Sequence, residues 1–299
     1  MKVLLAGATG AIGTPLVAAL REAGHEVLAL TRGTQVPGAR AVVADALDRD
    51  ALLRAVDGLR ADAVIHELTA LRKPPARYRD MDATNTLRTT GTANLLAAAE
   101  RLGATRFLTQ SMVPGYGYVD HGPRPLTEED PFGEPRGLRT DPLVAAMLST
   151  ERQAIEAPGI DGIALRYGAF YGLSGSQALV EALRGGMLPV PRAGGGTMAW
   201  IHLADAARAT VAALEHGRGG QAYNLVDDTP ATWAELFAEH ARAFHTRPAR
   251  RLPAWAVRLA APYLATLMID TSMRVSNAKA RAELGWKPAY PSYREGVRV

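Results

Sequence analysis

The sequence predicts an α/β fold: a doubly wound parallel sheet of about seven strands, with a smaller, mostly helical C-terminal lobe. Three observations carry this prediction. Short apolar runs alternate with helical patterns through the first half of the chain. The runs are continuous rather than alternating, so both faces of each strand must be covered. The first run leads into GATGAIG, a glycine turn that opens a helix.

The elements follow in order. KVLLAGA (2–8) reads as the first strand and TPLVAALREAG (14–24) as a helix that stops on Gly24. HEVLALTR (25–32) and ARAVVAD (39–45) are strands, and RDALLRAVDG (49–58) is the helix after them. DAVIHEL (62–68) is a strand, NTLRTTGTANLLAAAERLG (85–103) a long helix ending on Gly103, and TRFLTQS (105–111) the fifth strand. Thr140-Asp141-Pro142 starts the next helix, with Asp141 as N-cap and Pro142 at the first helical position. Its first six side chains after Pro142, in LVAAMLSTERQ (143–153), are apolar. GIALRYGAFYG (162–172) reads as a sixth strand and AYNLVDD (222–228) as a seventh. Between them lie SQALVEALRGG (176–186), patterned as a short helix, and the loop RAGGG (192–196). Helical patterns broken by prolines follow Asp228. This divides the chain into a dinucleotide-binding domain, 1–172 plus 200–227, and a substrate-binding lobe, 173–199 plus 228–299.

Composition narrows the function classes. The chain has 299 residues, 47% hydrophobic and 21% charged, which suits one or two globular domains rather than a disordered chain. It has no cysteine, which excludes disulfides, thiolate metal sites and a cysteine nucleophile and fits a reducing, cytoplasmic setting. The net charge is +4, yet arginine and acid are interleaved along the chain. The densest basic cluster, RPARR (247–251), has no aromatic platform, so nucleic acid is not an expected partner. No apolar run approaches the roughly 18 residues of a membrane span. The run after Lys2 reaches only Ala6 before the glycine turn, which makes it a buried strand rather than a leader peptide. The histidines are scattered, with no pair or carboxylate cluster at metal spacing, so no metal site is expected. His202 and Asp205 read as structural, Asp205 as a helix cap.

The glycine turn carries the cofactor argument. Gly7, Gly10 and Gly13 are spaced for a tight turn, close approach of a pyrophosphate and close helix–sheet packing in a Rossmann-type βαβ unit. With Thr9, Ala11 and Ile12 they form the expected phosphate site, where the free N–H groups of a helix N-terminus face the anion. The second strand ends in Thr31 and Arg32, without the acid that would accept a ribose 2′-hydroxyl. That favours NADP over NAD. Asp45 is placed either to bond an adenine amino group or to cap the next helix.

At this point the chain resembles the extended and atypical short-chain dehydrogenase/reductases, the nucleotide-sugar epimerase/dehydratase type. GATGAIG resembles their G-x-x-G-x-x-G, ADAL (44–47) their acidic adenine-contact motif, and VIHELTA their V-I-H-x-A-A strand end. GTANLLAAA, LTQS, LRYGAFYG, WIHLADAARA, AYNLVDD and ELGWKP resemble further motifs of that family, in the same order. The resemblance implies that Asp45 and Ala46 meet adenine. It places Leu68, Thr69 and Ala70 along the cofactor, Thr109 and the catalytic Ser111 at the end of the fifth strand, and Tyr167 and Phe170 near the nicotinamide.

The departures are equally specific. Arg88 stands where the family usually has asparagine, with Asn85 one turn earlier as a substitute, and Tyr167 replaces a proline. Aligned on Pro142 and Glu151, the family's P-Y-x-x-S-K helix carries Leu143 at the tyrosine position and Met147 at the lysine position. No tyrosine in the chain has a lysine four residues on, so no change of register restores the dyad. In that dyad the tyrosine moves a proton at the substrate oxygen, and the lysine holds the ribose and lowers the tyrosine pKa. Leucine and methionine do neither. Ser111 and Tyr116 are the candidate replacements, with Tyr118 and His121 behind them. A tyrosine without a lysine serves better as an acid than as a base, which favours reduction. Lys73 is a further candidate for the cofactor phosphates, and Glu67 is either an arginine's partner or a substrate contact. Met187, Met198 and Trp200 point to an apolar or aromatic substrate where they face the pocket.

Three functions fit. The first is an NADP-dependent oxidoreductase or epimerase acting on a small oxygenated, apolar or aromatic metabolite, with a non-standard proton donor. The second is a non-redox isomerase, lyase or cyclase on the same scaffold. The third is an NADP-sensing binding protein without catalysis. The family commonly forms homodimers through the helix at 85–102 and the helix that holds Leu143.

Overall fold

The computed structural model describes residues 1–71, 74–172, 180–186 and 188–298. Lys73, Met187 and residues 176–179 of the expected helix at 176–186 lie outside the described residues.

Seven parallel strands form the central sheet: β1 (Lys2–Ala6), β2 (Glu26–Thr31), β3 (Arg40–Val43), β4 (Ala63–His66), β5 (Arg106–Met112), β6 (Asp161–Tyr167) and β9 (Gln221–Leu225). Their order is β9-β6-β5-β4-β1-β2-β3, so the chain reverses its direction of travel between β1 and β4. In doubly wound sheets a ligand crevice opens at that point, beyond the carboxyl ends of the strands.

Helices cover both faces, as the continuous apolar strands require. On one face α1 (Gly13–Glu22) and α6 (Leu203–His216) bury Leu16, Leu20, Ala206 and Leu214 against Leu5, Ile65 and Leu165. On the other, α2 (Arg49–Val56) and α4 (Thr92–Leu102) bury Leu52, Leu95 and Ala99 against Leu4, Val64 and Phe107. α5 (Asp141–Ile155) adds Ala154 to that layer.

The structure corrects four local expectations. The sixth strand breaks at Gly168, where a Cβ would stand 2.8 Å from the Ala199 carbonyl oxygen. Beyond it β7 (Ala169–Tyr171) leaves the main sheet and pairs with β8 (Trp200–His202). The long helix begins earlier, at α3 (Asp82–Thr86), and passes through a π-helical turn, Leu87–Gly91, before α4. The N-cap of α5 is Thr140; the Asp141 carboxylate instead closes the preceding turn by accepting the N–H groups of Arg136, Gly137 and Leu138. His202, not Asp205, caps α6, while buried Asp205 accepts the N–H groups of Ala289 and Tyr290 at 2.8 and 2.9 Å and so ties down the C-terminal segment.

The smaller lobe is mostly helical. Helices at Trp233–Ala243 and Ala254–Ala260 and a helical run from Pro262 to Asp270 pack with three short strand pairs. Its core holds Met198 and Trp200, which are 1% and 2% exposed, and neither lines the cavity at the switch point. The Trp200 Nε1–H donates to the Ala231 carbonyl and its ring meets Trp233 edge-on. No helix among the described residues is long and apolar enough to cross a membrane.

Candidate active site

At the switch point a cavity of about 240 Å³ opens over the ends of β1, β2 and β4. Gly7, Thr9, Gly10, Thr31, Arg32, Asp45, Ala46, Leu68, Thr69 and Ala70 all line it. The sequence scattered these residues over four strand ends, and the fold brings them to one place. The cradle is built for backbone approach. Gly7 has φ +102°, and a Cβ there would lie 2.5 Å from the Glu67 carbonyl oxygen. A Cβ on Gly13 would lie 2.0 Å from the Gly7 carbonyl oxygen, so only glycine lets α1 start against the loop. Asn94 of α4 donates to the Ala46 carbonyl at 2.9 Å and fixes the far wall. Thr84 receives the Ala70 N–H at 3.2 Å and steadies the near one. Asp45 closes its own turn on the Leu47 N–H, and Asp48 is the cap of α2. These features fit a dinucleotide: a side-chain-free phosphate turn, a helix N-terminus and a cation at the end of β2.

The remaining cofactor candidates stand outside that cavity. Ile12 is core and Ala11 is exposed. Thr109 Oγ1 bonds Thr150 Oγ1 at 2.7 Å, and Thr150 bonds Thr92 at 2.8 Å, a buried chain that joins β5, α5 and α4. Phe170 is half-buried, 5.4 Å from the ring of Tyr167. Tyr167 is wholly buried and its hydroxyl reaches Glu67 Oε1 at 2.9 Å and Thr210 Oγ1 at 2.6 Å.

Glu67 therefore has a tyrosine partner, not an arginine. It lines the cavity floor, is 1% exposed and leaves Oε2 without a partner. Burial pushes its carboxyl up to about 8, against the lowering effect of the Tyr167 bond, so it holds a proton at neutral pH. Beside it burial lowers His66 to about 4, so the ring is neutral. Its Nε2 lies 3.2 Å from the Leu87 carbonyl, and its Nδ1 takes the Leu68 N–H at 3.2 Å, which fixes the proton on Nε2.

The two catalytic candidates differ. Ser111, at the end of β5, is fully buried and its Oγ has no partner. Tyr116 has partners on every side. Its hydroxyl accepts from Arg166 Nη1 at 3.0 Å and lies 2.9 Å from both the Thr127 carbonyl and Asn224 Oδ1, which share its one proton. Arg166 in turn forms a buried ion pair with Glu151 at 2.7 Å. Burial raises the Tyr116 phenol to about 12 despite Arg166. His121 is likewise held by backbone, Nε2 to the Gly117 carbonyl at 3.0 Å.

Leu143 and Met147 stand in a separate apolar cluster with Met81, Val144, Tyr118 and Tyr263. The Tyr118 and Tyr263 hydroxyls are 3.1 Å apart. Tyr263 comes from the small lobe, whose helical run closes here: its N–H bonds the Ala76 carbonyl, and Tyr78 bonds Thr266. Arg88, from the π turn, is buried nearby with Nη1 unpartnered. Its guanidinium interacts electrostatically with Tyr118 and Tyr263. Asn85 is half-buried, with Oδ1 lacking a partner. Sequence reasoning marked Arg88 only as a departure from the family pattern; an arginine on a helix reads as solvated until the π turn is seen. Nothing in the sequence flagged Tyr263.

Residues 3–225 match the NAD dependent epimerase/dehydratase family. The chain is 40% identical to a 3-diazoavenalumate denitrifying reductase from a Streptomyces species, with 99% of each chain covered. It is 29% identical to a 2-alkyl-3-oxoalkanoate reductase from Stenotrophomonas maltophilia over 79% of this chain and 73% of that one. Among solved structures, a UDP-glucose 4-epimerase from Thermotoga maritima with UDP-glucose aligns with a TM-score of 0.81 at 22% identity, covering 100% of this chain and 96% of that one. A dTDP-glucose 4,6-dehydratase from Streptomyces venezuelae with NAD bound gives 0.80 at 23% identity, over 100% and 95%. The chain belongs to the NAD dependent epimerase/dehydratase family and is an enzyme of its oxidoreductase and epimerase kind.

Proposed function

We propose that this family member is an NADPH-dependent reductase of a small unsaturated or aromatic acid, and that its reaction replaces a diazo group by hydrogen, with release of N2. One observation carries the reading: the dinucleotide cradle is intact, while the positions that the resemblance gives to the proton-handling dyad are the buried apolar residues Leu143 and Met147. When bound, the nicotinamide supplies a hydride. Reduction of a carbonyl also needs a proton at oxygen, and a positioned acid is worth about 10²–10⁴-fold there. Loss of nitrogen from a diazonium carbon needs none. The new C–H bond takes the hydride pair, the C–N pair leaves with N2, and the positive charge of the diazonium group is cancelled. A chain without the dyad is suited to that chemistry, and its 40%-identical relative is named for it.

The roles of the chain's own residues follow. Gly7, Gly10 and the start of α1 take the pyrophosphate, Asp45 and Ala46 the adenine, and Leu68 to Ala70 flank the rest. Arg32, at the open end of β2 with no acid beside it, takes the 2′-phosphate and gives the NADP preference. Ser111 offers its free hydroxyl to the substrate. Residues 173–199 and 228–299 act as the substrate lobe. A homodimer through the outer faces of α4 and α5, which flank an open groove lined by Ala93, Ala97, Ala145 and Leu148, belongs to the same reading; sedimentation equilibrium tests it, and a monomer at micromolar concentration removes it.

Turnover tests the reading. Protein, NADPH and a diazo-bearing aromatic acid should consume NADPH and release N2 one for one, well above the rate without protein. Deuterium at the nicotinamide C4 should appear on the carbon that lost nitrogen. Binding of NADPH with no turnover of diazo or carbonyl acids would return the weight to a sensing protein.

A further inference from the structure

Arg88 is a buried cation with no counter-charge. It is 6% exposed, its Nη1 has no acceptor, and it makes no ion pair among the described residues. Guanidinium does not lose its proton in proteins, so the charge stays where the fold puts it. Burial of an unpaired charge is strongly unfavourable, and a native chain that keeps one has a partner for it. The groups around it do not serve. His66 is neutral, and burial holds the Tyr118 and Tyr263 phenols above their ordinary value, so both are uncharged at neutral pH. The placement is built in: the π turn Leu87–Gly91 carries Arg88 inward between β4 and the small lobe. Single π turns inside α-helices are frequent at functional sites.

The surroundings define what the cation meets. Tyr118, Tyr263, Leu143 and Met147 form one apolar cluster, with half-buried Leu71 and Met112 packed against it. Arg88 does not line the phosphate cradle, although its neighbour Leu87 does. Its polar neighbours are His66 of β4, Tyr118 beyond the end of β5 and Tyr263 of the lobe.

We propose that Arg88 is the anion-binding residue of the substrate subsite, and that its guanidinium takes the carboxylate of an unsaturated or aromatic acid whose apolar body lies against Leu143, Met147 and the Tyr118 ring. The proposal rests on the reductase reading and names its substrate class. A planar carboxylate accepts two parallel N–H groups from one guanidinium, which orients the acid as well as holding it.

The test is binding rather than turnover. trans-Cinnamate and its neutral amide are titrated calorimetrically into the full chain, with and without NADP. Wild type should bind the acid at least about tenfold tighter than the amide, as a charge-assisted pair requires. Arg88→Met should bring that ratio close to one, while NADPH affinity stays within about twofold. Arg88→Lys keeps the charge and loses the fork; it should weaken the acid about three- to tenfold, leave the amide unchanged, and serve if the methionine variant does not fold. A wild type that does not prefer the acid overturns the proposal, as does an Arg88→Met that keeps the wild-type ratio. A fall in NADPH affinity with the acid preference intact would overturn it too, by assigning the guanidinium to the cofactor. Wild type that binds the acid but no dinucleotide would sink the reductase reading and leave the subsite standing.

Discussion

Two ends of one cleft are built differently. At the β1–β4 switch point, Gly7 and Gly13 leave no room for a Cβ, and the cavity they open is lined by ten of the residues expected for a dinucleotide. At the β5–α5 end, the positions that the resemblance gives to the acid–base dyad hold leucine and methionine in an apolar cluster, and an unpaired arginine lies buried nearby. The first end is constrained by backbone geometry, which tolerates little change. The second is constrained by side-chain packing around a buried charge. The contrast teaches that backbone geometry and side-chain chemistry constrain the two ends of one cleft separately.

The largest expected effect lies at the cradle end. Gly7→Val places a branched side chain at φ +102° against the Glu67 backbone. It should lower NADPH affinity at least about 100-fold and stability by about 2–4 kcal/mol, read by titration and by urea melts. A variant that bound normally would break the cradle half of the comparison. Next comes the apolar end. Met147→Lys restores the family's residue type, yet Met147 is 1% exposed and its cluster holds no carboxylate. The new ammonium should cost about 3 kcal/mol or more, or titrate with a depressed pKa. A variant as stable as wild type would mean that the cluster is an open, wet site.

Glu67 sharpens the comparison because it lies under the cradle and carries a proton. Its pKa in the fold is raised from 4.5 to about 8. Between those values the unfolded carboxyl is ionised while the folded one keeps its proton. The folded state thus binds more protons, and stability falls as pH rises, by at most about 1.4 kcal/mol per pH unit from this group. Its contribution is fully present below the unfolded pKa and lost by the time pH passes the folded one. Glu67→Gln should therefore gain on wild type steadily between pH 5 and pH 8 in urea melts. Parallel curves for the two proteins would contradict the protonated carboxyl.

The smallest effect separates structure from catalysis. Tyr116→Phe removes a hydroxyl from the Arg166 network and should cost about 1–2 kcal/mol of stability, with turnover changed no more than about threefold. A fall of two orders of magnitude in kcat without loss of stability would instead make Tyr116 the proton donor that the sequence suggested.

Much of the cradle was legible in the sequence because its signal is local. A glycine turn, a strand-end arginine and an acidic adenine motif each act through a few neighbouring residues, and the parallel sheet order brings them together without further information. The departures at Leu143 and Met147 were legible for the same reason. The surroundings they fold into were not. Arg88 sits buried on a five-residue π turn, and Tyr263 reaches the site from a lobe some 170 residues further along the chain. Tyr116 read as a candidate proton donor because it follows Ser111 closely. Its actual partners, Thr127, Arg166 and Asn224, are tertiary. The break of the sixth strand at Gly168 has a similar origin, since it depends on a contact with Ala199.

The account stands on a working NADP cradle in a chain without the dyad, and one titration tests that most directly. Nucleotide-stripped protein is titrated with NADPH, NADP, NADH and NAD, alongside Arg32→Asp. The account predicts that NADPH binds at least about tenfold tighter than NADH, and that Arg32→Asp removes the difference by setting a carboxylate against the 2′-phosphate. No binding of any of the four, or an NADPH preference that survives Arg32→Asp unchanged, would contradict it.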